Sequence, residues 1–457
     1  MKVKFVTLGC KTNKYESNAM EQSFIKHGYE ISNEKEDTSD IYIVNTCSVT
    51  NVAERKSRQM LRKVKGKNPN AIVVACGCYA QVAKQEIEKI PEVDLILGVN
   101  EKNNIVEIIE EYIKNHKKVI KVTDVMHECE FQDFGTTTFT EQTRAVVKIQ
   151  DGCDRFCTYC IIPYARGRVR SRNPQNIIEE ISKIAKKGLK EVVLTGIHIA
   201  SYGKDFNNET ALKYRELFGY NEEYQKYNPN DDLHSGGFRF IELLEQINKI
   251  DGIERIRLGS IEPKLITEEW VARLSKIEKV CKHFHLSLQS GFNETLKRMN
   301  RRYTIEEFEE AVKVLRNTWN DVCLTTDIIV GFPGETEEEF NQTYEFLKKI
   351  KFYKMHIFKY SQRRGTKAES MPNQIDGKIK EERSKKLIEL SGKNQRYYNE
   401  QYIGKTVKVL FEEKDGEYYK GHTGNYILVK AKSDRDLINK IANVKIKEVE
   451  NEFVLGA

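Results

Sequence analysis

Short β-branched runs alternate with helix-length stretches along most of this chain, and that alternation limits its architecture more than any other feature. Up to about residue 125, Lys2 to Leu8, Ile41 to Asn45, Ala71 to Ala75 and Asp94 to Leu97 read as strands, with helices beginning near Tyr15, Asn51 and Gln81. This β-α-β-α order predicts a parallel sheet with helices on both faces. After a polar stretch near 125–143 a second alternation begins. Its strands are Ala145 to Ile149, Glu191 to Leu194, Arg255 to Leu258, His283 to Leu288, Leu324 to Val330 and Lys354 to Phe358. Six such units predict a (β/α) barrel, complete or partial. Residues 376–400, rich in Lys, Glu, Arg and Gln, read as a solvated helix leading out of it. Beyond Gly404, four short runs (Thr406 to Phe411, Glu417 to Gly421, Tyr426 to Lys432, Asn443 to Val449) predict a small antiparallel β-barrel. The chain divides accordingly into 1–125, 140–375 and 398–457, with a polar excursion at 203–238 inserted into the second unit.

The 457 residues allow two or three substantial cores. No apolar run approaches the ~18 residues of a membrane span, and Met1 to Cys10 reads as a first strand rather than a signal peptide, so the expectation is a cytoplasmic protein without a membrane. The net charge of +7 permits a nucleic-acid partner without demonstrating one.

Chemistry enters through the cysteines. Asp151-Gly152-Cys153-Asp154-Arg155-Phe156-Cys157-Thr158-Tyr159-Cys160 carries three of them as C-x-x-x-C-x-x-C, directly after the first barrel strand and so at the carboxyl face where barrel sites lie. A structural zinc wants four closed ligands, and no fourth cysteine or histidine is near in sequence. Disulfides are disfavoured by a reducing compartment. A [4Fe-4S] cluster normally takes four cysteines, so three from one loop leave one iron with an open position. Cys10, Cys47 and Cys78 form a second set, each just past the carboxyl end of one of the first three strands, where ligands of an open α/β sheet collect. Buried free cysteines are common, and Cys76 competes with Cys78 on position alone; Gly77, which lets the chain turn, favours Cys78.

The C-x-x-x-C-x-x-C loop after a first barrel strand, with Tyr159 before the last cysteine, resembles the radical S-adenosylmethionine superfamily. Gly196, Ser260, Glu262 and Gln289, at the ends of later strands in Leu194-Thr195-Gly196-Ile197-His198, Leu258-Gly259-Ser260-Ile261-Glu262-Pro263 and His285-Leu286-Ser287-Leu288-Gln289, are the accompanying cofactor-binding candidates. With the amino-terminal cysteine domain and the small carboxyl-terminal module, the whole chain resembles the methylthiotransferases, in which that module is the TRAM domain. The segments Gly9-Cys10-Lys11-Thr12-Asn13-Lys14-Tyr15-Glu16-Ser17, Asn45-Thr46-Cys47-Ser48-Val49-Thr50, Gly77-Cys78-Tyr79-Ala80-Gln81 and Arg166-Gly167-Arg168-Val169-Arg170-Ser171-Arg172 look like the branch acting on N6-threonylcarbamoyladenosine in tRNA. Relatives acting on isopentenyladenosine or on a ribosomal-protein aspartate carry a different set after the first cysteine. The resemblance implies two [4Fe-4S] clusters, held by Cys153, Cys157 and Cys160 and by Cys10, Cys47 and Cys78. It also implies S-adenosylmethionine, with Tyr159 against its adenine, and tRNA bound through the anticodon loop. An electron donor of the flavodoxin or ferredoxin kind completes the expectation. A non-catalytic iron–sulfur RNA-binding protein is the alternative from another class. Two basic stretches, Arg55, Lys56, Arg58, Arg62, Lys63, Lys65 and Lys67 on one helix after the Cys47 loop and the Arg166 to Arg172 run by the other cysteine loop, are expected RNA surfaces in addition to the small module.

Overall fold

A computed structural model describes residues 1–33, 38–135, 143–220, 228, 231 and 233–457. The expected start of the barrel unit at 140 lies outside the described residues, as do parts of the 203–238 excursion.

The amino-terminal strands β1 (Lys2–Thr7), β2 (Glu30–Ile31), β3 (Ile41–Thr46), β4 (Ile72–Gly77), β5 (Leu95–Leu97) and β6 (Val119–Lys121) form one sheet in the order β2-β1-β3-β4-β5-β6. Every pairing in it is parallel. Helices α1 (Lys11–Lys26) and α2 (Asn51–Lys67) follow β1 and β3 and contribute to separate cores. Val3, Met20, Phe24, Ile43 and Val74 pack on one face, and Tyr42, Val44, Leu61, Val64 and Val73 on the other. Two covered faces explain why all six residues of β3 are buried and why its sequence runs apolar instead of alternating.

In the second unit β7 (Arg144–Lys148) runs on into a short β8 (Gln150–Asp151), which pairs with β9 (Arg170–Ser171) and brackets the cysteine loop. The remaining barrel strands are β10 (Glu191–Thr195), β11 (Arg255–Leu258), β12 (Ser260–Ile261), β13 (His283–Gln289), β14 (Cys323–Val330) and β15 (Lys354–Lys359). They form two parallel arcs, β11-β10-β7 and β12-β13-β14-β15, joined by a bridge between Ile256 and Val280. This is the expected partial barrel of six principal strands. Ala145, Val147, Val192, Leu194, Phe284, Leu286 and Leu324 enter one apolar core with the outer helices. Strand geometry turns their alternate neighbours, Arg144, Glu191, Arg257, His283 and His285 among them, to the barrel interior. The helix Gly377–Glu400 is less solvated than its composition predicts, because Leu387 and Leu390 enter the barrel core and Ser391 Oγ accepts from the Met355 amide of β15 at 2.9 Å. The described part of the excursion carries a helix, Asn208–Leu217, whose Tyr214 packs with Phe206 and Phe238.

The last strands, β16 (Thr406–Asp415), β17 (Tyr418–Thr423), β18 (Leu428–Lys432), β19 (Ile441–Glu450) and β20 (Phe453–Gly456), close a barrel in the order β16-β17-β18-β20-β19. Closure uses one parallel pair, β18 with β20, among otherwise antiparallel ones. The module caps the amino-terminal end of the larger barrel: Arg255 donates to the carbonyls of His422 and Lys408 at 2.8 and 2.9 Å, and Arg144 pairs with Glu412 at 2.8 Å.

A buried ion network docks the first unit on the second. Glu16, on α1, receives Lys102 at 2.5 Å, Lys148 of β7 at 2.7 Å and Arg166, just past the cysteine loop, at 2.7 Å. All four side chains are 3% exposed or less. Burial by itself would raise the Glu16 carboxyl, but Arg166, Lys102 and Lys148 overcome it and hold the group well below its ordinary 4.5. A carboxyl depressed in the folded state adds stability that is fully present above its unfolded value and disappears only as pH falls through the lowered one. Glu16→Gln is therefore expected to cost on the order of 3 kcal/mol, the penalty of leaving buried cations unpaired. Urea unfolding should find that difference undiminished between pH 7 and pH 5.

Candidate functional site

Each amino-terminal cysteine stands where a strand ends and a helix begins. Cys10 is the residue before α1, Cys47 follows β3 and precedes α2, and Cys78 opens a short helix, Cys78–Val82, after β4. Parallel neighbours put these three ends side by side. Gly9 has φ +98°, and a β-carbon there would stand 2.6 Å from Cys47 Sγ, so glycine is needed for Cys10 and Cys47 to approach. Gly77 has φ +94° and would meet Asn45 Oδ1 at 2.5 Å, which explains the turn that delivers Cys78. Cys10 and Cys78 lie within electrostatic reach of Cys47, and Cys10 within reach of Cys78. Cys76 instead lies wholly buried in the apolar core with Val74 and Leu95.

The other three cysteines are held by the loop itself and by the segment after β13. The Cys160 amide donates to the Cys157 carbonyl at 2.9 Å, and the Cys153 amide to the Gly167 carbonyl at 3.0 Å. Asn300 Nδ2 donates to the Arg155 and Phe156 carbonyls at 3.2 and 3.0 Å, fixing Phe156 at φ +48°. Arg301 Nη1 donates to Cys157 Sγ at 3.1 Å while its Nε donates to Tyr303 Oη at 2.9 Å. Tyr303 Oη in turn donates to the Leu288 carbonyl on β13 at 2.9 Å.

The two sets share cationic surroundings. Arg166 Nε donates to Cys78 Sγ at 3.3 Å. Arg363, after β15, donates to the carbonyl of Ser48, the residue after Cys47, and to Glu54 at 3.1 Å, and its charge is within electrostatic reach of the Cys47 and Cys160 thiols. Its Nη1 is buried with no hydrogen-bond partner among the described residues. Burial raises the Cys47 thiol to about 11 and those of Cys153 and Cys160 to about 12. Such thiols lose their protons only to a bound cation, and the adjacent guanidinium groups offset the negative charge that thiolate ligation brings. The donor sets therefore fit iron–sulfur ligation.

Among the expected cofactor-binding residues, Tyr159 packs edge-on against Phe332, ring centres 6.5 Å apart, next to Cys157 and Cys160. Gly196 lies where a β-carbon would meet the Gln150 carbonyl at 2.9 Å, Ser260 is exposed on β12, and Gln289 ends β13 with φ +71°. Glu262 Oε2 accepts from Arg155 Nε at 2.7 Å and sits 2.6 Å from His198 Nε2. Burial opposes its ionisation, but His198, Arg155 and Arg301 hold the carboxyl well below the ordinary range. It thereby ties the cysteine loop to the ends of β10 and β12.

The reading of Arg166 to Arg172 as an RNA surface is overturned. Arg166, Arg170 and Arg172 are 0%, 2% and 1% exposed by side chain, consumed by Glu16 and Asp151, by the Arg166 carbonyl, and by Glu180 and Asp133. Arg168 is the exposed arginine of the run, over the Phe156 ring at 4.7 Å. The basic face of α2 persists: Arg55, Lys56, Arg62, Lys63 and Lys67 are exposed, whereas Arg58 turns to Tyr79 and Lys65 to Asp94. Arg301 and Arg363 were missed, and their contexts, Asn300-Arg301-Arg302-Tyr303 and Gln362-Arg363-Arg364-Gly365, carry no signal beyond a basic pair.

Residues 147–347 match the Radical SAM superfamily, and residues 2–98 match the uncharacterized protein family UPF0004. Among solved structures, the fold resembles the radical S-adenosylmethionine methyltransferase TsrM of Kitasatospora setae, with a TM-score of 0.54 at 13% identity over 80% of this chain and 77% of that one. The unit carrying the cysteine loop is thus a radical S-adenosylmethionine barrel. Over 99% of this chain and 96% of the relative, it is 38% identical to the threonylcarbamoyladenosine tRNA methylthiotransferase MtaB of Bacillus subtilis. The MtaB of Aquifex aeolicus is 40% identical over 98% and 100%. The tRNA-2-methylthio-N(6)-dimethylallyladenosine synthase of Caldicellulosiruptor saccharolyticus is 35% identical over 99% and 91%. The chain belongs to the tRNA methylthiotransferase family.

The burial pattern separates two arginines that look alike in sequence. Arg172→Ala is expected to cost on the order of 3 kcal/mol, since it strands Glu180 and Asp133, while Arg62→Ala on the exposed face of α2 changes stability by less than about 0.5 kcal/mol. Denaturant unfolding of both variants checks the contrast.

Proposed function

We propose that this protein replaces the C2 hydrogen of N6-threonylcarbamoyladenosine at position 37 of tRNA with a methylthio group. The observation that carries the reading is the pair of three-cysteine sets tied together by Arg166, which donates to Cys78 Sγ at 3.3 Å and to Asp151, two residues before Cys153, at 3.1 Å. The relatives at 38 and 40% identity, named for threonylcarbamoyladenosine, favour that substrate over the dimethylallyl nucleoside of those at 34 to 36%.

Cys153, Cys157 and Cys160 would hold one [4Fe-4S] cluster with S-adenosylmethionine, and Cys10, Cys47 and Cys78 the other. Bound there, these groups supply a one-electron route to an unactivated C–H bond together with sulfur and a methyl group. The chain's own residues do the positioning. Arg301 and Arg166 fix a sulfur in each set by hydrogen bonds, and partners of this kind commonly govern metal affinity 10–100-fold. Tyr159 walls the loop on the Phe332 side, Gly196, Ser260 and Gln289 border the cofactor at the strand ends, and Glu262 orients the loop through Arg155. The exposed basic face of α2 meets RNA phosphates, and the electron comes from a small carrier of the flavodoxin or ferredoxin kind. The chain works as three units, 1–125, 140–375 and 398–457, the last a TRAM-like module.

Mass spectrometry of tRNA nucleosides from cells with and without the protein tests the activity, with 2-methylthio-N6-threonylcarbamoyladenosine expected only in its presence. Finding the threonylcarbamoyl nucleoside unmodified in both would reject the substrate. In the purified protein, Cys10→Ala is expected to lower bound iron from about eight to about four atoms per chain. That variant should keep reductive cleavage of S-adenosylmethionine and lose methylthiolated product, whereas Cys153→Ala loses both.

A further inference from the structure

A chamber of about 310 Å³ lies where all three units meet. Lys11 enters it from the start of α1, Arg144, Val146 and Arg257 line it from the barrel interior, and Glu412 and Tyr426 close it from the small module. Its volume falls at the lower end of the range for small-ligand sites, ~300–1,000 Å³. Its charges are not balanced. Arg257 is paired with Glu191 at 2.7 Å, Arg255 also faces Glu191 at 3.6 Å, and Arg144 is paired with Glu412 at 2.8 Å, so three guanidinium groups already share two carboxylates. Asp327 of β14 lies 3.2 Å from His285. Lys11, an exposed residue, has no hydrogen-bond or ion-pair partner among the described residues, and its ammonium feels Arg144, Arg257 and, least of the three, Glu191 across the space. Consecutive α-carbons stand ~3.8 Å apart, so the same helix start presents the Cys10 thiol and this unmatched cation.

We propose that Lys11 is the specificity residue of the chamber, its ammonium receiving the threonyl carboxylate of the substrate nucleoside. The inference rests on the methylthiotransferase reading above and gives it a physical cause. Of the adenosines at issue, the unmodified one brings no charge into the chamber and the dimethylallyl one brings a hydrocarbon that would strip water from Lys11 without replacing it. Burying an uncompensated ammonium is costly, and a site built to pair a polar group rejects analogues that lack it far more strongly than an apolar pocket rejects a misfit. A threonylcarbamoyl group brings one carboxylate to one free ammonium, with the Tyr426 ring, over which Arg257 stands at 4.9 Å, as the facing wall. The other anion a nucleotide could offer Lys11 is its own phosphate, which every adenosine variant carries alike.

The test is fluorescence anisotropy with the anaerobically reconstituted holoprotein and two labelled anticodon stem-loop RNAs, identical except for N6-threonylcarbamoyladenosine or plain adenosine at position 37. Wild type is expected to prefer the modified RNA at least about tenfold, the usual scale of a charge-assisted hydrogen bond. Lys11→Met should erase the preference by weakening the modified RNA alone, with iron content unchanged, and Lys11→Arg should retain most of it. A Lys11→Met protein that still prefers the modified RNA as wild type does would overturn the assignment. So would an equal loss for both RNAs, which marks a phosphate contact or a structural role. If wild type itself does not distinguish the two RNAs, the substrate reading fails along with the inference.

Discussion

The Glu16 carboxylate is the point on which the arrangement of the two cysteine sets depends. It lies in α1, one and a half turns after Cys10, and receives a lysine from its own unit, a lysine from the first barrel strand and the guanidinium of Arg166. Arg166 also reaches Cys78 and Asp151, and Asp151 is the last residue of β8, two before Cys153. A chain of short contacts therefore runs from one set of thiols to the other. Apolar burial is non-directional and would let the two units slide over one another, whereas buried charges tolerate few arrangements, because any slip leaves an ion without its partner in a medium that cannot solvate it.

That network also explains which part of the molecule was legible in the sequence. The strands of both sheets follow from β-branched runs and their spacing, and the six proposed ligands from their positions after strand ends, since the hydrophobic period and the parallel topology act through neighbours close along the chain. The Arg166 to Arg172 run was misread because a charged segment looks the same whether it faces water or a buried carboxylate, and Glu16, one of the two carboxylates that bind Arg166, stands 150 residues away. The 377–400 helix failed similarly: its polar composition hides an apolar stripe through Leu387 and Leu390 that covers the barrel. β20 is four residues long and follows β19 across the two-residue hairpin turn Asn451-Glu452, where Asn451 has φ +44°; a turn without glycine and so short a strand carry little sequence signal.

Charge around the thiols follows one logic on both sides. Burial pushes the Cys47 and Cys78 thiols up in one set and those of Cys153 and Cys160 in the other, and each set has a guanidinium within hydrogen-bonding distance of a sulfur. Metal ligation expels those protons, and fixed cations then face thiolate sulfurs in a low-dielectric setting where the attraction is strong. Arg363 belongs to neither set alone. Its contacts with the Ser48 carbonyl and Glu54, together with those of Asn51 to Ser361 and Gln362, make the loop after β15 a brace on the sheet edge beside Cys47.

Placing Lys11 directly after Cys10 couples recognition to sulfur delivery through one rigid element. Gly9 lets the chain turn beside Cys47, α1 begins at Lys11, and Tyr15 and Glu16 anchor its first turns in the barrel core and the ion network. A shift of α1 large enough to draw Lys11 out of the chamber would break the Glu16 pairs and carry Cys10 away from Cys47. The anion site and the sulfur site therefore move together or not at all, so an adenosine seated through its carboxylate meets Cys10 at a distance set by the helix rather than by a mobile loop. A chain that read its substrate on the outer surface of the small module would lack that constraint. Here the module's part is to close the chamber, with Glu412 matched to Arg144, leaving Lys11 as the charge that substrate must satisfy.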